Sequence, residues 1–175
     1  MGAGETALNA LIACRKEGGW SNGILKEYIL RDRLDRREAA LATRLCYGVL
    51  QNRLLLDHYL QQLLTQKLRR LHPAIHDILH LGLYQLYFMD KIPDSAAVSE
   101  CVGLARQYCK GQTNAPNLVN GVLRSAIRRR QELEQPKSYV ERYSHPQSLV
   151  DLLKAYVGKD RLSICSGPTM RSRPP

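Results

Sequence analysis

From Glu5 to Arg130 the apolar residues recur three and four positions apart, the signature of helices that bury one face. The first runs from about Glu5 to Lys16 on Ala7, Leu8, Leu11, Ile12 and Ala13, and Gly18-Gly19 stops it. A second carries Ile24, Leu25, Tyr28 and Ile29, with Ser21 or Asn22 as its cap. Asp35 caps a third, and Glu38 three residues on completes a capping-box-like pair; its face is Leu41, Ala42, Leu45, Cys46 and Val49. Leu56, Tyr59, Leu60, Leu63 and Leu64 mark a fourth, followed by a basic loop at Lys67, Arg69 and Arg70. His72-Pro73 opens a fifth, with proline at a permitted first-turn position. Asp94 or Ser95 caps a sixth through Ala97, Val98, Cys101, Leu104, Ala105 and Tyr108, and Pro116 starts a seventh through Leu118, Val119, Val122, Leu123, Ala126 and Ile127.

The fifth segment breaks the one-face rule. Ile78 to Met89 reads ILHLGLYQLYFM and is apolar on most of its circumference. It is too short for a bilayer, which needs about 20 apolar residues. It is therefore expected to be the central helix of a bundle, with Gly82 allowing a neighbour to approach closely. No run alternates as a β-strand does, so the fold class is all-α.

Past Gln135-Pro136 the character changes. Tyr143-Ser144-His145-Pro146 starts a further helix with an apolar face at Leu149, Val150, Leu152, Leu153 and Tyr156, ended by Gly158. The expected organisation is a helical domain over 1–135, the start of a second unit over 136–165, and a disordered tail over 166–175.

Charge sharpens the picture. The 175 residues hold 26 Lys and Arg against 16 Asp and Glu, a net +10, which favours nucleic acid or an anionic surface as partner. Arg31, Arg33, Arg36 and Arg37 cluster before and at the start of the third helix, and Arg124, Arg128, Arg129 and Arg130 at the end of the seventh. Such clusters can hold several phosphates, and looped or single-stranded RNA is the natural target. Arginines at a helix C-terminus also complement its dipole, which accounts for one or two of the residues near 128. No segment reads as a signal peptide or membrane span. The five cysteines form no CxxC pair, so buried thiols in a reducing, cytoplasmic compartment are expected.

Phosphate-binding and hydrolase motifs (GxGxxG, the P-loop, GxSxG) do not occur. His72, His76 and His80 share one helix face, a spacing that can hold a metal. No carboxylate or cysteine stands beside all three along the chain, so they are read as partly exposed helix histidines, with no metal site expected.

LATRLCYGVLQNRLLLDHYL, then LHLGLYQLYFMDKIPDSAAVSECVGLARQY, then NLVNGVLRSAIRR resemble the NusB-like RNA-binding domain, in order, over about residues 5 to 132. The resemblance implies a NusB-like helical bundle of about seven helices that binds RNA, here with a short C-terminal helical extension. That extension resembles the linking region of the bacterial ribosomal RNA cytosine-C5 methyltransferases, in which an S-adenosylmethionine-binding catalytic domain follows. The resemblance places Arg37 where the family has a basic residue ahead of LAT. A second basic position appears as Ala39 and the arginine usual after YGVL as Gln51, with Arg53 able to substitute. Asn120, in NGVLR, is expected to serve packing or capping. The family's proline-cysteine motif and glycine-rich cofactor loop have no counterpart here, so no cofactor is expected in this chain and it is not expected to methylate alone. Codons for Gly167 to Pro174, read from their third bases, can encode Ala-Asn-Asn-Glu-(Val or Ile)-Pro-Pro, close to the family's continuation, and a frameshifted tail is the expectation.

The expected RNA-contacting residues are Arg33, Arg36, Arg37, Arg53, Arg124, Arg128, Arg129 and Arg130. The expected partner is small-subunit ribosomal RNA. The alternative is a free-standing NusB-type antitermination factor, which would bind RNA together with a ribosomal protein.

Overall fold

A computed structural model describes residues 2–18, 22–65, 67–137 and 142. The expected helix over 143–158, the tail over 166–175, Cys165 and the Ser21 cap lie outside these residues. Among those described there are seven α-helices and no strand: α1 Ala3–Lys16, α2 Asn22–Arg31, α3 Arg36–Gln51, α4 Arg53–Leu63, α5 Pro73–Phe88, α6 Asp94–Tyr108 and α7 Ala115–Arg128. The basic loop between α4 and α5 contains a 3-10 turn over Leu68–Arg70. No helix among the described residues is long and apolar enough to cross a membrane.

α5 is the axis. Every residue from Asp77 to Tyr87 is buried, and the helix touches α1, α3, α4, α6 and α7. Each fully buried Leu or Ile contributes about 1.5–3 kcal/mol over leaving it in water, so Ile78, Leu79, Leu81 and Leu83, all fully buried, make this helix the main store of hydrophobic stabilisation. His72 and Pro73 start it as expected: the His72 Nδ1 accepts from the Ala74 N–H at 3.3 Å, with proline in the first turn.

A helix enclosed this way needs neighbours that approach closely. A Cβ at Gly82 would meet the Leu123 methyls at 2.7 Å and Cys101 Sγ at 3.1 Å, so α6 and α7 close over this glycine. A Cβ at Gly48 would lie inside the Tyr84 ring, so α3 reaches α5 only through this glycine.

Two caps differ from expectation. Asp35 accepts from the Glu38 N–H at 2.8 Å, but Glu38 does not complete a box with it. Its Oε2 accepts instead from the Ala3 N–H at 2.7 Å, which satisfies an orphan donor of α1 and ties α1 to α3. At α6 neither Asp94 nor Ser95 caps the helix; Pro93 holds the cap position without a side-chain bond, and Asp94 is engaged by Arg130.

Cys14, Cys46, Cys101 and Cys109 are free and buried. Burial raises the Cys46 thiol to about 12, so it is a core residue and not a nucleophile.

Gly48→Ala should destabilise the chain by about 1–3 kcal/mol, because the Tyr84 ring must move. Gly103→Ala, where a Cβ meets nothing within 4 Å, should stabilise it by up to about 1 kcal/mol through helix propensity. Urea melts of the two variants would check the contrast.

Candidate nucleic-acid interface

The basic residues divide into those that hold the fold together and those that face solvent. At the turn between α2 and α3, Asp32 is the anchor. Its carboxylate accepts from Arg31 Nε at 2.7 Å and from the buried Thr6 hydroxyl at 2.7 Å. The Arg31 hydrogen bond, against the opposing effect of burial, lowers the Asp32 carboxyl below its ordinary value. Arg31 also lies 4.2 Å over the Tyr28 ring. This guanidinium is therefore engaged by the protein. Arg33 follows in the left-handed region, at φ 51°, and is exposed. Arg36 and Arg37 occupy the exposed first turn of α3. Their side chains, like that of Arg33, form no hydrogen bond or ion pair among the described residues.

Placing Arg36 and Arg37 at a helix N-terminus works against the dipole. Asp35 and Glu38 flank them and offset that cost. The result is an outward cationic turn beside backbone N–H groups, an arrangement suited to phosphate.

The cluster at the end of α7 is split. Arg128 is exposed. Arg129 donates to the Gln62 carbonyl at 3.0 Å and pairs with Glu132 at 3.4 Å. Arg130 donates to the Leu86 carbonyl and to both Asp94 oxygens, all at 3.2 Å. It lies 5.7 Å from the Tyr87 ring centroid, and its side chain is only 16% exposed. Arg129 and Arg130 thus join the end of α7 to α4, α5 and α6, which leaves Arg128 as the outward member.

Arg124 donates to Asn120 Oδ1 at 2.9 Å, one turn back, so Asn120 positions this arginine. Both line a groove of about 520 Å³ between α6 and α7, with Arg106, Ser95 and Ser99. Arg106 did not stand out in the sequence, because it is isolated there and gains significance only beside Arg124. Arg53 is exposed at the start of α4 and lines a separate cleft of about 260 Å³ with Arg15, Asp77 and His80. Arg15 pairs with Asp77 at 3.1 Å.

The three histidines separate as well. His72 caps α5. His76 is half-buried, in keeping with the expectation of a partly exposed residue, but His80 is buried, because α4 packs over this face. That packing brings up Asp57, whose Oδ1 lies 2.6 Å from His76 Nε2 and 2.8 Å from His80 Nε2. Burial opposes ionisation of Asp57, but the two imidazole hydrogen bonds outweigh it and hold the carboxyl well below the usual range. Burial lowers His80, with Asp57 pulling the other way.

The segment after α7 folds back on α4. The Glu134 carbonyl meets His58 Nε2 and Gln62 Nε2, each at 3.0 Å, and the Glu134 N–H donates to Gln62 Oε1 at 2.9 Å. Tyr59 donates to Gln135 Oε1 at 2.9 Å, and Leu133 is buried.

Comparison with known proteins completes the picture. Residues 1–128 match the NusB family. The chain is 36% identical over 151 residues to the probable ribosomal RNA small subunit methyltransferase B of Bacillus subtilis (strain 168), covering 83% of this chain and 33% of that protein. It is 37% identical over 123 residues to ribosomal RNA small subunit methyltransferase B of Erwinia tasmaniensis, covering 67% and 27%. The chain therefore spans about a third of the length of the curated relatives it matches. T. maritima NusB superposes with a TM-score of 0.66 at 25% identity, covering 77% of this chain and 92% of that one. A chain from the crystal structure of a plectonemic RNA supercoil shares the fold, with a TM-score of 0.68 at 20% identity over 75% and 96%.

Arg130→Ala should lower stability by about 1–3 kcal/mol, because it strips partners from Asp94 and the Leu86 carbonyl. Arg128→Ala should cost less than about 1 kcal/mol, its interaction being with solvent and the helix dipole. Denaturant unfolding of each variant, monitored by circular dichroism, separates the two roles.

Proposed function

The chain belongs to the NusB family, and from that premise we propose that it is the RNA-binding module of a small-subunit ribosomal RNA cytosine-C5 methyltransferase, acting in the cytoplasm. The observation that carries this reading is the reach of the similarity. The match to the Bacillus subtilis methyltransferase takes in 83% of the chain, and so continues past residue 128, where the family match ends. A module that serves only as a free-standing factor has no need of that continuation.

In this reading the outward arginines hold the phosphates. Arg33, Arg36 and Arg37 form one group at the start of α3. Arg106 and Arg124 form a second in the α6–α7 groove, with Arg128 at its end, and Arg53 lies apart from both. Arg129 and Arg130 support the second group by fixing the end of α7. The bundle positions ribosomal RNA for chemistry that resides elsewhere in the methyltransferase, where S-adenosylmethionine is bound.

One observation favours a second reading, a free-standing antitermination factor that binds RNA with a ribosomal protein. T. maritima NusB is covered over 92% of its length by this chain, so the bundle holds nearly all that such a factor contains.

Binding to small-subunit ribosomal RNA fragments across a salt series tests both. Saturable binding by the chain alone is expected, with affinity falling steeply as salt rises. Combined Arg33→Ala, Arg36→Ala and Arg37→Ala should reduce the magnitude of the log–log salt slope by roughly 0.7–0.9 for each phosphate no longer neutralised. Binding that appears only when a ribosomal protein is added would favour the second reading. Absence of binding even at low salt, with or without such a protein, would refute both.

A further inference from the structure

His76 and His80 stand one turn apart on α5, and Asp57 projects to them from α4. Both Nε2 atoms converge on one carboxylate oxygen, at 2.6 and 2.8 Å. The ring centroids are 4.2 Å apart and the planes tilted by 48°. The three potential ligand atoms all lie within 4.8 Å of one another. We propose that Asp57, His76 and His80 form a binding site for a divalent transition-metal ion of the zinc class, which clips α4 to α5.

The donor set suits such an ion. Two imidazole nitrogens and one carboxylate oxygen are the borderline ligands zinc takes, with a fourth position left for water. The ion would sit at about 2.0–2.2 Å from each donor, so tetrahedral ligand atoms stand about 3.4 Å apart. The two nitrogen–oxygen separations therefore open by less than about 1 Å, within reach of a carboxylate rotation. The ion takes the place of the two Nε2 protons that now face Asp57; each neutral imidazole then carries its single proton on Nδ1 and ligates through Nε2, with no net proton released.

The surroundings agree. His80 is buried within α5, whereas the side chains of His76 and Asp57 are 20% and 23% exposed. The site therefore combines a fixed base with a route for entry. Asp77, on the same helix as His80 and close enough to act on it electrostatically, is paired with Arg15 at 3.1 Å. The imidazoles would ligate as neutral bases and the carboxylate as an anion. The clip would also brace α4 where His58, Tyr59 and Gln62 hold the segment leaving the bundle.

The test is titration of the full chain with Zn2+ in chelator-free buffer, by calorimetry and thermal melting, alongside Asp57→Asn and His76→Gln. Asn keeps a hydrogen-bond acceptor for the histidines, and His76 is part-exposed, so both variants should fold, as circular dichroism would verify. One equivalent of Zn2+ should bind the wild type and, in large excess over Kd, raise its melting midpoint by about 5 °C. Each variant should lose roughly tenfold or more in affinity. Co2+ on the wild type should give the intense visible bands of a four-coordinate nitrogen and oxygen site, a readout independent of the variants. Absence of stoichiometric binding by the wild type, or binding that survives unchanged in either variant, would overturn the proposal.

Discussion

The structure depends on one constraint, the enclosure of α5 on all sides. A helix buried from Asp77 to Tyr87 cannot leave a polar group to water, since an unsatisfied buried group costs about 1–3 kcal/mol. Each polar side chain named here is matched to a partner on another element. Asp77 meets Arg15 of α1 and His80 meets Asp57 of α4. Gln85 donates to Glu100 of α6 at 3.2 Å, and Tyr87 to the Ala126 carbonyl of α7 at 3.1 Å. These pairings set the angular position of α5 against its neighbours, which hydrophobic packing alone leaves less specified. The glycines at 48 and 82 belong to the same constraint, because they set how near α3, α6 and α7 can come.

Arginine is used in two ways. Where a guanidinium meets a carboxylate or carbonyl of another element, as with Arg15, Arg129 and Arg130, it fastens helices together. Where the chain turns outward, as at Arg33, Arg36 and Arg37, it leaves cationic groups beside a helix N-terminus. The first use shapes the second. Asp32 takes up Arg31 and Thr6 and so fixes the turn from which Arg33 projects, while Arg130 fixes the helix end from which Arg128 projects. A surface built this way presents its cationic groups with their backbone already ordered, which would lower the entropy lost on binding an anionic partner.

Much of this was legible in the residues. Helix number, apolar faces, the Asp35 and His72-Pro73 starts and the close approach at Gly82 all follow from local rules, since helical spacing and capping involve residues within a few positions of one another. The family resemblance was legible too, because its motifs are themselves helix faces. What could not be read was the state of each charge. Glu38 looked like a capping-box partner of Asp35, yet it reaches Ala3. The arginine run at 128–130 looked uniform, yet Arg130 turns inward and Arg129 is held by the Gln62 carbonyl and Glu132.

The sequence by itself determined an all-α bundle around an apolar axis, because periodicity and capping are short-range properties of the chain. Only the tertiary structure decided which polar residues meet. Asp57 lies 19 residues from His76, Asp94 lies 36 from Arg130, and Arg15 lies 62 from Asp77. No local spacing encodes such pairs. They arise when packing of the apolar faces sets the rotation of each helix, and with it the direction in which every charged side chain points.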